Sequence, residues 1–265
     1  MSQKEPRQAD RESPGIHEAS RRDKLRKIAE MGIDPWGGRF DDRTYIGDIR
    51  ARAEEIQFCK ESGETIELPP LDGPEPVDFR VWMQQQGPGE LTGPHVRAAG
   101  RIVLQRDAGK LRFVNIQDWT GRIQLFIGKQ QVGDEGFALA GQFDLGDLVG
   151  VDGQLRRTKT GELTIFAEKL HFLCKAIEPP PEKHHGLQDA ELRQRMRYLD
   201  LNYTDGVLPR FLNRTKIVHS IRQTLAGEGF CEIEGPTLHT IAGGAAARPF
   251  ITHHNTLDIQ LYLRI

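Results

Sequence analysis

The sequence predicts an α+β fold in which a helical arm precedes a five-stranded β-barrel and a second domain of mixed helix and sheet. Apolar residues recur at helical spacing between His17 and Ile56, which is typical of amphipathic helices. Five segments of alternating apolar and polar residues follow between Val96 and Leu173, as expected of half-buried strands. The stretch Pro209–Gly227 then predicts a long amphipathic helix that opens the second domain.

Composition excludes several classes of protein. The chain has 265 residues, 37% hydrophobic and 28% charged, and a formal net charge of −2, as expected of a soluble globular protein. Its polar N-terminus lacks the apolar core of a secretory signal, so a cytoplasmic location and no membrane association are expected. Cys59, Cys174 and Cys231 are isolated, which argues against a disulfide framework or a cysteine zinc site. Because the net charge gives no global nucleic-acid signal, such a partner must be argued from a local face.

The arm is predicted to occupy residues 1–60. Residues 1–16 are polar and predicted to be disordered, and His17–Met31 predicts a helix that Gly32 caps. A second helix is predicted to start at Thr44, and its apolar face would carry Ile46, Ile49, Ala53 and Ile56. Residues 61–94 are rich in Pro and Gly without a sustained period, which predicts a linker or an insertion.

Residues 95–178 are predicted to form the barrel. The predicted strands are Val96–Arg106, Leu111–Asp118, Arg122–Gly128, Asp147–Arg157 and Leu163–Leu173. A short helix is predicted at Asp134–Phe143, between the third and fourth strands. Five strands with a helix after the third is the order of an OB-fold, a small closed barrel that often binds oligonucleotides.

The alternation in the second and third strands predicts two different faces. One face is aliphatic and would fill the barrel, and its members are Val114, Ile116, Ile123, Leu125 and Ile127. Phe113 and Phe126 then lie outside, among amides and a guanidinium, as a stacking platform for single-stranded bases. Basic residues that could meet phosphates are Arg101, Arg106, Lys110, Arg112, Arg156, Arg157 and Lys159. Ordinary packing of both rings beneath the N-terminal helices explains the same pattern equally well.

Residues 179–265 are predicted to form a charged hinge and then the start of an antiparallel-sheet domain. After the helix Pro209–Gly227, Phe230–Glu234 alternates as a strand that Gly235 and Pro236 stop. A glycine- and alanine-rich loop from Gly243 leads to a second alternating strand, whose apolar side would carry Leu257, Ile259, Leu261 and Leu263. The pairs His184–His185 and His253–His254 lack a metal-ligand spacing, so structural roles and no metal site are predicted.

Several stretches resemble class II aminoacyl-tRNA synthetases. The stretches GRIVLQRDAGKLRFVNIQD, GRIQLFI and TKTGELTI resemble the anticodon-binding domain that lysyl-, aspartyl- and asparaginyl-tRNA synthetases share. HGLQDAELRQRMRYLDL resembles the hinge of that family, and Pro209–Pro236 resembles its motif 1. The C-terminal GGAAARPFITHHNTLDIQLYLRI resembles the amino-acid-binding loop of the bacterial lysyl enzymes, so the chain resembles the N-terminal portion of that family.

The resemblance implies roles for particular residues. An anticodon base would stack on Phe113, and Arg106, Gln124 and Glu162 would read the central uracil. Gly244 would contact the bound lysine. The complete enzyme would use ATP, Mg²⁺, lysine and a lysine-accepting tRNA, and it would form a homodimer through the motif 1 region.

The resemblance also implies that this chain holds no catalytic residue. The arginines of motifs 2 and 3 and the magnesium-binding carboxylates are expected beyond Ile265. The 265-residue chain is therefore expected to be inactive alone and to bind ATP and Mg²⁺ poorly. Two hypotheses stay open, a portion of a tRNA-charging enzyme and a tRNA-binding module without catalysis. The sequence does not decide whether the chain is a fragment or a truncated product.

Overall fold

The computed structural model describes residues 16–71, 77–181 and 187–264. The chain divides into two compact units, Met1–Thr204 and Asp205–Ile265. Disorder was predicted for residues 1–16, of which residues 1–15 lie outside the described residues and Ile16 instead begins a helix. The pair His184–His185 also lies outside the described residues. None of the helices in the described ranges is long and apolar enough to cross a membrane.

The arm contains two helical stretches. Helix α1 spans Ile16–Glu30, in agreement with the predicted first helix. The second stretch starts two residues later than the predicted Thr44: α2 covers Ile46–Ala51, and a 3₁₀ turn continues through Arg52–Glu55. Its four predicted apolar residues are buried in the main core together with Ile28.

Residues 61–94 contain regular structure, whereas the sequence predicted a linker or an insertion without it. Strands β1 (Gln57–Lys60), β2 (Thr65–Glu67) and β3 (Gly89–Thr92) form a small antiparallel sheet in the order β2–β1–β3. Helix α3 spans Phe79–Gln86 and lies between β2 and β3 in the chain. Strands of three or four residues are too short to show an alternation, which is why the pattern of the sequence does not indicate them.

An aromatic cluster stabilises this small sheet. Phe58 of β1 and Phe79 of α3 are buried, and the ring of Trp82 contacts both, with centroids 6.0 Å and 5.5 Å away respectively. Asp78 begins α3 by accepting hydrogen bonds from the backbone of Arg80 and Val81, which satisfies two of the free amide groups at the helix start.

The barrel has the predicted OB-fold order. Its strands are β4 (His95–Ala108), β5 (Leu111–Gln117), β6 (Arg122–Gly128), β7 (Leu148–Arg157) and β8 (Leu163–Cys174). They close in the order β4–β5–β6–β8–β7. Helix α4 follows the third barrel strand but spans Lys129–Ala140, with a break at Gly133, where φ is 72°. The helix therefore begins earlier than predicted. The aliphatic residues predicted to fill the barrel are buried.

Charged residues attach the arm to the barrel. Arg21 of α1 donates hydrogen bonds to the backbone carbonyls of Leu145 and Ala176 at 2.9 and 2.8 Å. Lys24 lies 2.6 Å from the carboxylate of Asp144, and Lys175 contacts that same carboxylate at 2.6 Å. The arm helix is thus held by side chains as well as by its apolar face.

Two short helices end the first unit. Helix α5 spans Ala190–Arg195 and α6 spans Arg197–Tyr203. Arg193 and Arg197 both contact the buried carboxylate of Asp200, at 2.8 and 2.5 Å. Burial acts to raise the pKa of Asp200, but the hydrogen bond from Arg193 and the charges of both arginines contribute to lowering it, and the pKa lies below its ordinary value.

The second unit begins with α7 (Val207–Gly227), followed by β9 (Leu238–His239), β10 (Ile251–His254) and β11 (Ile259–Leu263). The strands form an antiparallel sheet in the order β10–β11–β9. Residues 230–234 were predicted to be a strand, and this prediction is wrong for the described structure. They pair with no strand among the described residues, and a strand requires a hydrogen-bonded neighbour.

The last predicted strand starts later than expected. Leu257 lies in a turn, Asp258 adopts a φ of 49°, and the strand begins at Ile259. Of the apolar side that was predicted to be buried, Leu261 is 9% exposed but Leu257 is 62% exposed. Most of that side is therefore uncovered within this unit.

Candidate nucleic-acid interface

The outer face of the barrel carries three rows of side chains that run across neighbouring strands. Backbone pairing aligns Arg106 with Phe113, Phe113 with Phe126, and Phe126 with Phe166. We call this set the aromatic row. Because side chains alternate between the two faces of a strand and the intervening residues fill the barrel, these side chains share the outer face.

The three rings of the aromatic row contact one another. Phe113 meets Phe126 edge to face, with centroids 5.6 Å apart, and Phe126 stacks on Phe166 at 4.7 Å. All three rings are partly exposed. Partly exposed rings beside polar groups provide flat surfaces on which bases can stack.

A guanidinium group lies over each end of this row. Arg106 lies 5.1 Å from the centroid of Phe113, and Arg156 lies 5.6 Å from that of Phe166. Arg156 is also bound by Glu90 of β3 at 3.0 Å. Cation–π contacts hold these positive charges beside the rings, where a phosphate of a stacked nucleotide would be attracted.

The second row, the polar row, presents hydrogen-bonding groups. Asn115 pairs with Gln124, and Gln124 pairs with Thr164 across the parallel strands. The amide nitrogen of Gln124 donates to the hydroxyl of Thr164 at 3.0 Å, and that hydroxyl donates to the backbone carbonyl of Glu162 at 3.1 Å. The hydrogen bond to Thr164 uses one of the two hydrogens on the Gln124 amide nitrogen and orients the side chain. The second N–H donor and the amide oxygen acceptor remain available to a base.

Glu162 lies two residues before Thr164 and follows the turn that ends at Gly161. Its backbone amide donates to the hydroxyl of Thr158 at 3.1 Å, and its carbonyl accepts from the Thr158 amide at 2.9 Å. Gly161 has a φ of 89°, a conformation that favours glycine. The turn therefore holds Glu162 at the edge of the polar row.

The third row contains Arg101, Gln117 and Arg122, which pair across β4, β5 and β6. Arg122 donates to the side-chain oxygen of Gln117 at 2.6 Å, and Arg101 donates to the carbonyl of Gly146 at 2.8 Å. This row continues the outer face beyond the polar row.

Not every predicted basic residue is presented to solvent. Arg112 contacts Asp107 and the carbonyl of Ala140, and Arg157 is buried with its guanidinium 5.4 Å from the ring of Phe79. Arg106, Lys110 and Lys159 are exposed. The exposed positive charge is therefore less than the sequence alone predicted.

Sequence reasoning missed Phe166 as part of this face. The signal was present in the alternation of β8, where Phe166 lies between buried neighbours. The parallel pairing of β8 with β6 brings Phe166 beside Phe126, and local sequence does not predict that pairing.

Gly244, predicted to contact lysine, lies in the second unit between β9 and β10. It is exposed and has a φ of 116°, which glycine adopts more readily than other residues. The described part of the chain brings together no three His, Cys, Asp or Glu side chains that could hold a metal ion.

The closed barrel has the strand order of an OB-fold. Residues 96–173 match the family model described as an OB-fold nucleic acid binding domain of the tRNA anticodon type, and residues 189–265 match that of class II tRNA synthetases for D, K and N. The chain is 43% identical over 245 residues to lysine–tRNA ligases of Staphylococcus aureus strains Mu3, Mu50 and N315. The match covers 92% of this chain and 44% of each relative. The chain is thus a homologue of lysine–tRNA ligases, and it spans less than half their length.

Proposed function

We propose that the chain is part of a lysine–tRNA ligase and that its barrel binds the anticodon loop of a lysine-accepting tRNA. The observation that carries this proposal is the pair of adjoining rows on the outer face. The aromatic row has partly exposed rings, and the adjoining polar row has hydrogen-bonding groups. Recognition of single-stranded RNA combines these two elements, because unpaired bases can stack while their edges are read.

Each predicted site residue of the barrel has a part in this binding. Phe113 stacks on one anticodon base. Uracil has two carbonyl acceptors and one N–H donor, so Arg106 and Gln124 donate to it while Glu162 accepts. The hydrogen bond between Gln124 and Thr164 supports this assignment, since it fixes the amide before the base arrives and lowers the entropy cost of reading it.

The reaction of the whole protein is part of the same proposal. Lysine reacts with ATP to give lysyl-adenylate and pyrophosphate, and the lysyl group then passes to a hydroxyl of the terminal ribose of the tRNA while AMP leaves. ATP and Mg²⁺ supply the activating chemistry and charge stabilisation. Gly244 contributes backbone near the lysine, the motif 1 region forms a homodimer, and the enzyme acts in the cytoplasm. The alternative is an RNA-binding module without catalysis, since the barrel alone would be sufficient to bind RNA.

Binding to an anticodon stem-loop of lysine tRNA tests the proposal. The 265-residue chain should bind the stem-loop with a central uracil more tightly than the same RNA with cytosine there. The affinity should fall as salt rises, because basic residues displace counterions from phosphates. Equal affinity for the two RNAs, or an affinity that salt leaves unchanged, would contradict anticodon recognition by this face.

A further inference from the structure

Two aromatic side chains lie together and exposed at the turn between β5 and β6. Trp119 is 57% exposed and Tyr45 is 40% exposed. Their rings meet edge to face with centroids 5.5 Å apart. Tyr45 comes from the arm and Trp119 from the barrel, so this pair, which we call the turn pair, forms only when the two parts are joined.

A network of hydrogen bonds fixes the turn that carries Trp119. One carboxylate oxygen of Asp118 accepts from the Thr120 amide, the Thr120 hydroxyl and the Gly121 amide, at 2.7, 2.6 and 3.0 Å. Exposed rings on a mobile loop would lose entropy on binding, whereas a fixed turn avoids most of that cost. Because the Asp118 carboxylate already accepts these hydrogen bonds, it is a weaker acceptor for a ligand beside the Trp119 ring.

The same network fixes the segment that carries Tyr45. The second oxygen of Asp118 accepts from the backbone amide of Ile46 at 2.9 Å, and the hydroxyl of Thr120 accepts from the amide of Gly47 at 2.8 Å. Both residues begin α2, directly after Tyr45. The two aromatic residues are therefore held on one preorganised platform.

The turn pair lies beyond the end of β5, whose last residue, Gln117, belongs to the third row. Trp119 follows Gln117 of the third row by two residues and Phe113 of the aromatic row by six. At a rise of about 3.3 Å per residue, Gln117 at the end of β5 lies about 13 Å from Phe113 along the strand, and Trp119 lies in the turn beyond it. Glu162 lies toward the same end, since β8 runs parallel to β6 and starts beside it.

Positive charge accompanies the turn pair. Arg43 lies 5.8 Å from the centroid of the Tyr45 ring. Arg122 of the third row, whose Nε donates to Gln117, directly follows the turn. Aromatic faces flanked by guanidinium groups suit bases linked by phosphates better than they suit an apolar protein surface.

We propose that Trp119, supported by Tyr45, is a second base-stacking site for the RNA loop. This inference rests on the proposed function and adds a binding site to it. The length of about 13 Å from Phe113 to the end of β5 alone exceeds the rise of about 3.4 Å between stacked neighbouring bases. The base on Trp119 is therefore not the immediate neighbour of the base on Phe113, and the loop follows the barrel face between them.

The test measures the affinity of the full chain for the lysine tRNA anticodon stem-loop. Trp119→Ala should weaken binding about 5- to 150-fold, the effect of losing one base–aromatic stack. Trp119→Phe should retain most of the affinity, because a smaller ring still stacks. Trp36→Ala is the matched control. Trp36 is similarly exposed, at 60%, but it lies near the opposite end of β8: the carbonyl of the preceding Pro35 accepts a hydrogen bond from the backbone amide of Lys175, just after β8 ends. Removal of the Trp36 ring should therefore leave the RNA affinity unchanged.

A fluorescent base analogue placed at successive loop positions identifies the stacked bases. Quenching of the analogue should be lost at one position in Trp119→Ala and at a different, non-adjacent position in Phe113→Ala. Loss at the same position in both variants would overturn the second site. The second site would also be overturned if Trp119→Ala bound the RNA as tightly as the unmodified chain while Phe113→Ala bound it weakly. That result would still support anticodon binding by the barrel. No binding by the unmodified chain would overturn both proposals. Concentration-dependent self-association that Trp119→Ala abolishes, with RNA affinity unchanged, would identify the turn pair as a protein contact instead.

Discussion

The ring of Phe126 stacks on that of Phe166, with centroids 4.7 Å apart and ring planes 26° from parallel. These residues belong to β6 and β8, the one parallel pair in the closed barrel of the described structure. The contact extends the aromatic row from two rings to three. It also gives Phe113 a rigid neighbour, because Phe126 is held on its other side.

Phe113→Ala should weaken binding of the anticodon stem-loop by about 1–3 kcal/mol, the contribution of one base stacked on an aromatic ring. Its cost to folding should be small, since the ring is partly exposed and its edge-to-face contact with Phe126 contributes about 0.5–1.5 kcal/mol. RNA titration and thermal unfolding measure the two effects separately.

Val114→Ala is the matched control for that substitution. Val114 is the next residue of β5 but is buried in the barrel, so its truncation should lower the free energy of unfolding by about 1–3 kcal/mol through a cavity. The RNA affinity of the folded fraction should not change. If Phe113→Ala instead unfolds the barrel while Val114→Ala impairs RNA binding, the functions of the two faces are the reverse of those assigned.

Gln124→Ala should reduce the discrimination between uracil and cytosine at the central anticodon position. Under the proposed function this amide contacts the base edge, so its loss should weaken binding of the uracil RNA by about 1–3 kcal/mol and binding of the cytosine RNA less. Thr164→Val tests the orientation of this amide. It removes the hydroxyl that accepts from Gln124, and it should reduce the same discrimination by a smaller factor. Full discrimination in Gln124→Ala would rule out this residue as the reader.

The barrel is largely predictable from the sequence because its strands are long and alternate. In β5 and β6 buried residues alternate with partly exposed ones, so the buried and outer faces follow from the pattern of apolar residues. That pattern assigns Phe113 and Gln124 to the outer face, and the backbone pairing of β5 with β6 agrees with it. Their roles in binding stay predictions that RNA measurements must test.

Features that depend on distant pairing are not predictable from local sequence. The hydrogen bond from Ile46 to Asp118 joins residues 72 positions apart, and the stack of Phe126 on Phe166 depends on a parallel register. The strands of the small sheet β2–β1–β3 are too short for a visible period. Phe230–Glu234 has the alternation of a strand but lacks a partner among the described residues, so pattern alone overstated the strand content of the second unit.

The 265-residue chain should give no exchange of pyrophosphate into ATP in the presence of lysine. The activation of lysine requires positioned cations, and this chain spans only 44% of the length of the lysine–tRNA ligases that it matches. A complete Staphylococcus aureus lysine–tRNA ligase, assayed in parallel, provides the positive control. Lysine-dependent exchange above background would show that residues of this chain perform the chemistry.

The junction between arm and barrel should make stability sensitive to acid. Burial acts to raise the pKa of Asp144, but its hydrogen bonds to Lys175 and Lys24 and their charges outweigh burial and lower the pKa. An unfolded aspartate titrates near a pKa of about 3.9. The folded state therefore binds the Asp144 proton less readily than the unfolded state does. The stability from this carboxylate is complete above pH ~5 and is lost as pH falls through the lowered pKa.

Asp144→Asn should consequently lower the free energy of unfolding by about 1–3 kcal/mol near neutral pH, because two charged hydrogen bonds are weakened. The difference between the variant and the unmodified chain should shrink as pH falls from ~5 toward ~2, where the carboxylate of the unmodified protein is also neutral. Urea unfolding across this range measures the difference directly.

Glu18→Gln is a suitable control, since Glu18 forms its ion pair with Arg22 of the same helix and an ion pair of this kind contributes at most about 0.5 kcal/mol. A difference between Asp144→Asn and the unmodified chain that stays constant from neutral to acid pH would mean that the charge of Asp144 does not hold the arm on the barrel.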